Sequence, residues 1–380
     1  MESINLFMNT KVCFGEFVIK QLQHWIDPRV KNVIIITGKS SARKYGYLSQ
    51  IVNQFSDMDI NAVVYDGISP NPRTTEVDAA VALVKKHNIN MVVGLGGGSV
   101  LDAAKAIAAM PYVEGTTSEV MNGRKKLSNR RLPLIQIPTT AGTGSELSMG
   151  AIITDEESGI KDGLRGEVLL ADVAIVDPTL TYSLSKHLTI ETGFDILTHA
   201  IETFFSKKAS ALTKFFSVEA YRRVIQYLPQ LFDDLDNTTA RKELSYASLL
   251  MGINLANSST CLPHRLQYPI GALTDTSHPK GLASIYKAWL ALSMQYNRPT
   301  CRELALLLNY RDKEDQSAES LWYNDVIQLM IGLQLDVTLG NLGIQKKDLV
   351  HLISNVRGSL DNDPIAHVEN IIEQIYIQSL

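Results

Sequence analysis

The sequence predicts a doubly wound parallel α/β sheet domain followed by an all-α domain. Three observations carry this. Short apolar runs alternate with amphipathic stretches through the first half. A glycine run separates one apolar run from the helical pattern after it. Beyond about residue 185, strand candidates nearly vanish and long helical patterns take over. The predicted domains are 1–185 and 186–380.

"NVIIITG" (32–38) is continuous, β-branched and bounded by glycine. Such a run reads as a strand buried on both faces. "SARKYGYLSQIVNQF" follows with helical spacing, then the strand "NAVVYDG" (61–67) and the helix "TTEVDAAVALVKKHN". "NMVVGLGGG" (90–98) reads as a third strand, and "SVLDAAKAIAAM" begins a third helix. This alternation implies a parallel sheet. "PLIQIPTTAGTGSE" (133–146) and "VAIVDPTL" (173–180) add two strand-and-loop units. In the second half, "SLSKHLTIETGFDILTHAIETFFS", "TKFFSVEAYRRVIQYLPQLFDDL", "ARKELSYASLLMGINLA" and "YNDVIQLMIGLQLDV" are amphipathic at helical period. "CLPHRLQYPIGALTDTSHPKG" (261–281) shows almost no helical pattern and reads as a turn-rich segment.

The 380 residues suffice for two domains with real cores. A formal net charge of −4 argues against a general nucleic-acid binder. The chain has no apolar run of about 18 residues, so no membrane span is expected. The start "MESINLFMNT" does not read as a secretory signal. Cys13, Cys261 and Cys301 are far apart and fit a reducing compartment, so the expected location is the cytoplasm. Cys261, close to His264, reads as a small buried residue.

Two glycine loops compete for a phosphate. "TGKSS" (37–41) imitates the tail of a P-loop, but Val33 occupies the place of its first glycine, so the match fails. "GLGGGSVLDAAKA" (94–106) follows a strand and opens a helix, where backbone N–H groups and the positive helix end face an anion. Ser99 breaks the strict G-x-G-x-x-G pattern, and a tight turn alone also requires glycine.

Asp195 and His199 stand at i and i+4 in "GFDILTHAIE", on one face of a helix. The spacing fits an ordinary hydrogen-bonded pair or two ligands of a divalent ion. His264 and His278 would complete a set of one Asp and three His, a mixed shell for Fe²⁺, Zn²⁺ or a similar ion.

In their order and spacing, "GGGSVLDAAKA", "IPTTAGTGSE", "DPTL", "GFDILTHAIE" and His264/His278 resemble the iron-containing (group III) alcohol dehydrogenases over nearly the whole chain. The resemblance implies a dehydroquinate synthase-like architecture: a dinucleotide-binding N-terminal domain, a helical C-terminal domain and a metal in the cleft between them. It makes Asp195, His199, His264 and His278 the metal ligands. It assigns nucleotide contacts to Asn71, Gly97, Gly98, Ser99, Asp102, Thr139, Thr140, Thr143 and Lys161. It also implies a homodimer and a small aldehyde or alcohol as substrate. Many members of the family carry a further histidine four residues after the third ligand, often assigned a proton-relay role. Here that place holds Tyr268, a candidate relay or a pocket-shaping residue. Its reference pKa of about 10 suits a relay less well without tuning.

Arg265 and Lys280 flank two of the expected ligands. If they face the cleft, the substrate carries an anionic group, since Arg and Lys bind carboxylate and phosphonate well. Some branches of the family reduce phosphonoacetaldehyde. Family members that strongly prefer NAD commonly carry Asp where this chain has Gly38, and a carboxylate there repels a 2′-phosphate. Gly38, with Lys39, Ser40, Ser41 and Arg43 after it, therefore points to NADPH being accepted and preferred over NADH. The expected activity is metal-dependent NAD(P) alcohol dehydrogenase or aldehyde reductase. The competing classes are a dehydroquinate synthase-type lyase and a non-catalytic binding protein. The complete Asp/His set argues against the last.

Overall fold

A computed structural model describes residues 4–380. The predicted α/β sheet and helical half are both present. The sheet strands are β1 (Lys11–Phe14), β2 (Asn32–Gly38), β3 (Asn61–Ile68), β4 (Met91–Gly96), β5 (Leu134–Pro138) and β8 (Val173–Val176). They lie in the order β1-β8-β5-β4-β2-β3, all parallel. A separate antiparallel hairpin joins β6 (Gly150–Asp155) to β7 (Ile160–Arg165). The helices between them are α1 (Ser41–Lys44), α2 (Tyr47–Asp57), α3 (Thr74–Lys86), α4 (Gly98–Ala109) and α5 (Thr117–Met121).

The continuous apolar run of β2 follows from its burial on both faces. Val33 and Ile35 pack with Leu48, Ile51 and Phe55 of α2. Ile34 and Ile36 pack with Val77 and Val81 of α3 and Ala103 and Ile107 of α4. Gly46, at φ 79, splits the single helix expected after β2 into α1 and α2. The chain leaves β2 toward β3 and then crosses to β4 on the other side of β2. That reversal opens a crevice at the carboxyl ends of β2 and β4, the ligand-binding end of open α/β sheets. Gly38 ends β2 and Gly97 caps α4 just after β4, one on each side of it.

From Lys186 onward the chain is helical: α6 (Lys186–Phe205), α7 (Ala211–Asp233), α8 (Thr238–Asn257), α9 (Leu262–Thr274), α10 (His278–Tyr296), α11 (Arg298–Leu307), α12 (Ala318–Gly332), α13 (Leu349–Ser354) and α14 (Ile371–Gln378). Their core centres on Phe194, Phe204, Tyr286, Trp289 and Trp322, all fully buried. None of the helices described is long and apolar enough to cross a membrane.

Residues 261–281 correct the turn-rich reading. They form α9 and the first turn of α10, joined by a short link. A helix buried all round shows no apolar stripe, and Leu262 to Gly271 are buried without exception. Pro263 and Pro279 fall in first turns, where a missing N–H needs no partner. Pro269 lies inside α9 and leaves one turn of its ladder unclosed.

Candidate metal centre and cofactor cleft

A cavity of about 530 Å³ lies between the sheet's carboxyl edge and the helices. It is lined by Asn71, Gly98, Ser99, Asp102, Thr143, Lys161, Asp195, His199, His264, Arg265, Tyr268 and His278. A larger hollow of about 1570 Å³ opens at the amino ends of β4, β5 and β8 and contains none of the predicted residues. The smaller cavity is where the chemistry collects.

The helix α6 presents Asp195 and His199 one turn apart, α9 presents His264, and α10 begins at His278. His199 Nδ1 and His264 Nε2 each lie 3.8 Å from Asp195 Oδ1, and His278 Nε2 lies 3.7 Å from it. These spacings are too long for hydrogen bonds. They approach the ~3.4 Å between ligand atoms that tetrahedral bonds of about 2.1 Å would give. Both Asp195 oxygens, His199 Nδ1 and His264 Nε2 are buried without a hydrogen-bond partner. Four orphaned ligand atoms would be costly to bury for packing alone, and a cation satisfies all of them at once. The residues present therefore fit a divalent metal.

The other ring nitrogens are pinned. His264 Nδ1 donates to Glu202 Oε1 at 2.7 Å, and His278 Nδ1 donates to Gln267 Oε1 at 2.6 Å. Such partners fix the tautomer and aim the opposite nitrogen at the metal. Burial alone would lower the His264 imidazolium, but the Glu202 and Asp195 carboxylates outweigh it and push it up to about 9. Burial pushes His199 down to about 4. Burial would raise the Asp195 carboxyl, yet the charges of His199, His278 and His264 hold it well below the usual carboxylate range. Glu202 and Gln267 were missed in the sequence. Glu202 continues the spacing of Asp195 and His199 on one helical face, so a signal for it existed. Gln267 offers none, because its partner His278 belongs to the next helix.

The glycine loop presents open backbone. Gly97 makes no side-chain cap to α4. A Cβ on Gly98 would lie 2.6 Å from Thr143 Cγ2, and one on Gly97 would lie 3.3 Å from Thr140. Thr139 N–H donates to Gly96 O at 2.9 Å, which holds "TTAGT" beside the loop. This cradle exists only because side chains are absent, and it fits a dinucleotide phosphate at a helix N-terminus. Ser99 hydrogen-bonds the Pro70 carbonyl, and Lys161 Nζ donates to Asn71 Oδ1 at 2.7 Å. Burial lowers Lys161 to about 8. The Asp102 carboxylate is already engaged: it accepts from Lys105 Nζ at 3.1 Å and from Ile152 N at 2.9 Å. Arg43 gives its guanidinium to Asp66 at 2.9 Å, and Lys39 is exposed.

Arg265 and Tyr268 line the cavity and are buried. Lys280 is half-buried in the first turn of α10 and lies outside the residues lining the cavity. Cys261 is buried, and its thiol lies 3.2 Å from the Glu202 carbonyl.

Two family models match this chain: "Iron-containing alcohol dehydrogenase" over residues 9–178, and "Fe-containing alcohol dehydrogenase family, C-terminal" over residues 189–380. The chain is 31% identical to alcohol dehydrogenase 4 of Schizosaccharomyces pombe, over 93% of this chain and 81% of that one. It is 34% identical to choline dehydrogenase of Bacillus subtilis, over 67% of this chain and 63% of that one. Its fold matches the iron-containing alcohol dehydrogenase of Thermotoga maritima with a TM-score of 0.85 at 28% identity, covering 100% and 99% of the two chains.

Proposed function

We propose a function from one premise: the chain belongs to the iron-containing alcohol dehydrogenase family. Our reading is a metal-dependent oxidoreductase that moves a hydride between a nicotinamide cofactor and a small aldehyde or alcohol. The observation that carries it is the convergence of Asp195, His199 and His264, with orphaned ligand atoms, and of His278 at 3.7 Å from Asp195, in the cavity that also holds Gly98 and Ser99.

When bound, a divalent metal supplies Lewis-acid polarisation of the substrate oxygen, and the nicotinamide supplies the hydride. The chain's own groups do the rest. Asp195 and the three imidazoles would hold the metal, with Glu202 and Gln267 fixing two of the rings. Free N–H groups of the Gly97–Ser99 turn would bind the cofactor's pyrophosphate, and Asn71 and Lys161 close the cavity nearby. The hydroxyl of Tyr268 accepts a hydrogen bond from Arg265 Nη1 at 3.1 Å, which holds it in the cavity and leaves its own proton for the substrate side. The absence of a carboxylate at Gly38 supports acceptance of NADPH alongside NADH.

The direct test is His278→Ala in metal-reconstituted protein. Metal content measured by elemental analysis should drop, and NAD(P)H oxidation with aldehydes should be abolished. Full turnover by a metal-free His278→Ala protein would refute the reading.

A further inference from the structure

Next to the expected ligands stands a buried arginine that no carboxylate matches. The Arg265 side chain is only 8% exposed. Its Nη1 donates to Tyr268 Oη at 3.1 Å and its Nη2 to Ser259 Oγ at 3.3 Å. Its Nε is buried and has no partner. Among the described residues no carboxylate pairs with it. Desolvating a guanidinium without a counter-ion is costly, and hydroxyl partners offset only part of that. The two hydroxyl partners would accept equally from a neutral donor, so they do not account for the charge. The charge itself therefore needs a reason.

Arg165 and Lys208 line the same cavity. Arg165 ends β7, where Nη2 donates to Asp162 at 3.0 Å and Nη1 to the Gly163 carbonyl at 3.0 Å. Gly358, at φ +88, separates the two arginines. A Cβ there would lie 3.0 Å from Arg265 Cδ, 3.2 Å from its Nε and 3.3 Å from Arg165 Nη2. Two guanidinium side chains, one from each half of the chain, thus converge where only a glycine leaves room. Asp162 pairs with Arg165, and Arg165, Glu167 and Lys208 are all exposed, where screening is strong, so the buried Arg265 carries the argument.

We infer that Arg265, supported by Arg165 and Lys208, receives an oxyanion head group on the substrate. The substrate is then a short aldehyde whose far end is a phosphonate, sulfonate or carboxylate. This rests on the metal-and-nicotinamide reading of the same cavity. Arg265 and the expected ligands Asp195, His199, His264 and His278 all line one cavity of about 530 Å³, so head group and reacting carbonyl must both fit within it. That calls for a chain of few carbons. A guanidinium offers its donors as a fork matched to oxyanions, with the Ser259 and Tyr268 hydroxyls beside it. In the reduction, hydride from NAD(P)H goes to the carbonyl carbon and a proton to its oxygen. The alcohol and NAD(P)⁺ leave, and the head group is unchanged.

The test uses metal-reconstituted protein and aldehydes of matched length ending in phosphonate, sulfonate, carboxylate or methyl, each with NADH and NADPH. At least one anionic aldehyde should exceed the methyl one in kcat/KM. Arg265→Gln should shrink that preference by about 10- to 150-fold, mostly through KM, with Arg265→Lys between. Binding of ethylphosphonate by calorimetry gives a readout free of turnover: the natural protein should bind it, and Arg265→Gln should not. Metal content and NADH binding of Arg265→Gln confirm that the variant is folded. A natural protein that favours the methyl aldehyde over every anionic one overturns the inference, and so does a preference unchanged in Arg265→Gln. If no aldehyde is turned over while ethylphosphonate still binds through Arg265, the reaction reading fails and the anion site stands.

Discussion

Replacing Glu202 by Gln isolates the contribution of one buried carboxylate to the metal centre. Glu202 is 0% exposed; its Oε1 accepts from His264 Nδ1 at 2.7 Å, and its Oε2 accepts from Cys261 N at 2.9 Å. Glutamine has the same shape, so it opens no cavity. It has one acceptor oxygen for two donors, so either the imidazole or the Cys261 amide loses its partner. It also removes the negative charge that makes the His264 ring a better donor to a cation. Partners of this kind contribute a factor of about 10–100 in metal affinity, or about 1.4–2.7 kcal/mol. The assay is chelator competition, with Zn²⁺ in air and Fe²⁺ without oxygen, beside a thermal melt of the metal-free protein. Weaker metal binding with a near-natural melt is the expected result, and excess metal should restore most turnover. Affinity within roughly twofold of the natural protein would refute the reasoning, because the 2.7 Å contact would then do nothing for the metal.

Gly38→Asp should shift the ratio of kcat/KM values towards NADH, mainly by weakening NADPH. An unchanged ratio would detach Gly38 from the cofactor's ribose. Glu146 is buried, and burial raises its carboxyl from 4.5 to about 7. The unfolded chain gives up this proton near 4.5 and the folded chain near 7, so stability falls as pH rises through that window. Glu146→Gln should remove the fall, raising stability at pH 8 by up to about 3 kcal/mol while changing little at pH 4. Denaturant melts at both pH values check this, and an equal shift at both would show that Glu146 is ionised throughout.

The elements legible in the sequence are those whose pattern depends only on neighbours in the chain. The strands β2, β3 and β4 are apolar runs because both faces of the sheet are covered, and α6 is marked by Asp195 and His199 one turn apart. The strand β1 was not foreseen. It has four residues, Lys11 exposed and the other three half-buried, and the partner of Lys11, Val173, lies far along the chain. The hairpin β6–β7 alternates buried and half-buried residues along β6, yet polar side chains fill inward positions. Asp155 is 1% exposed, with Ser158 and Asn122 bound to it, and Lys161 is 6% exposed at the cleft. Polar groups placed inward for a site erase the alternation that would announce the strand.

The same distinction orders the site residues. Arg265 was singled out because it adjoins His264 in sequence, and the fold gives it a buried place on the cavity wall. Lys280 was singled out for its place two residues after His278, but the first turn of α10 carries it away from the cavity lining. Arg165 and Lys208 carried no signal, because what brings them to the cavity of Arg265 is the packing of a hairpin and of the link between α6 and α7 around one helix. Adjacency to a ligand is thus a weak guide on a helix, where successive side chains point about 100° apart. What separates Arg265 from Lys280 is burial: a guanidinium held out of water needs an anion, and a half-exposed ammonium has the solvent.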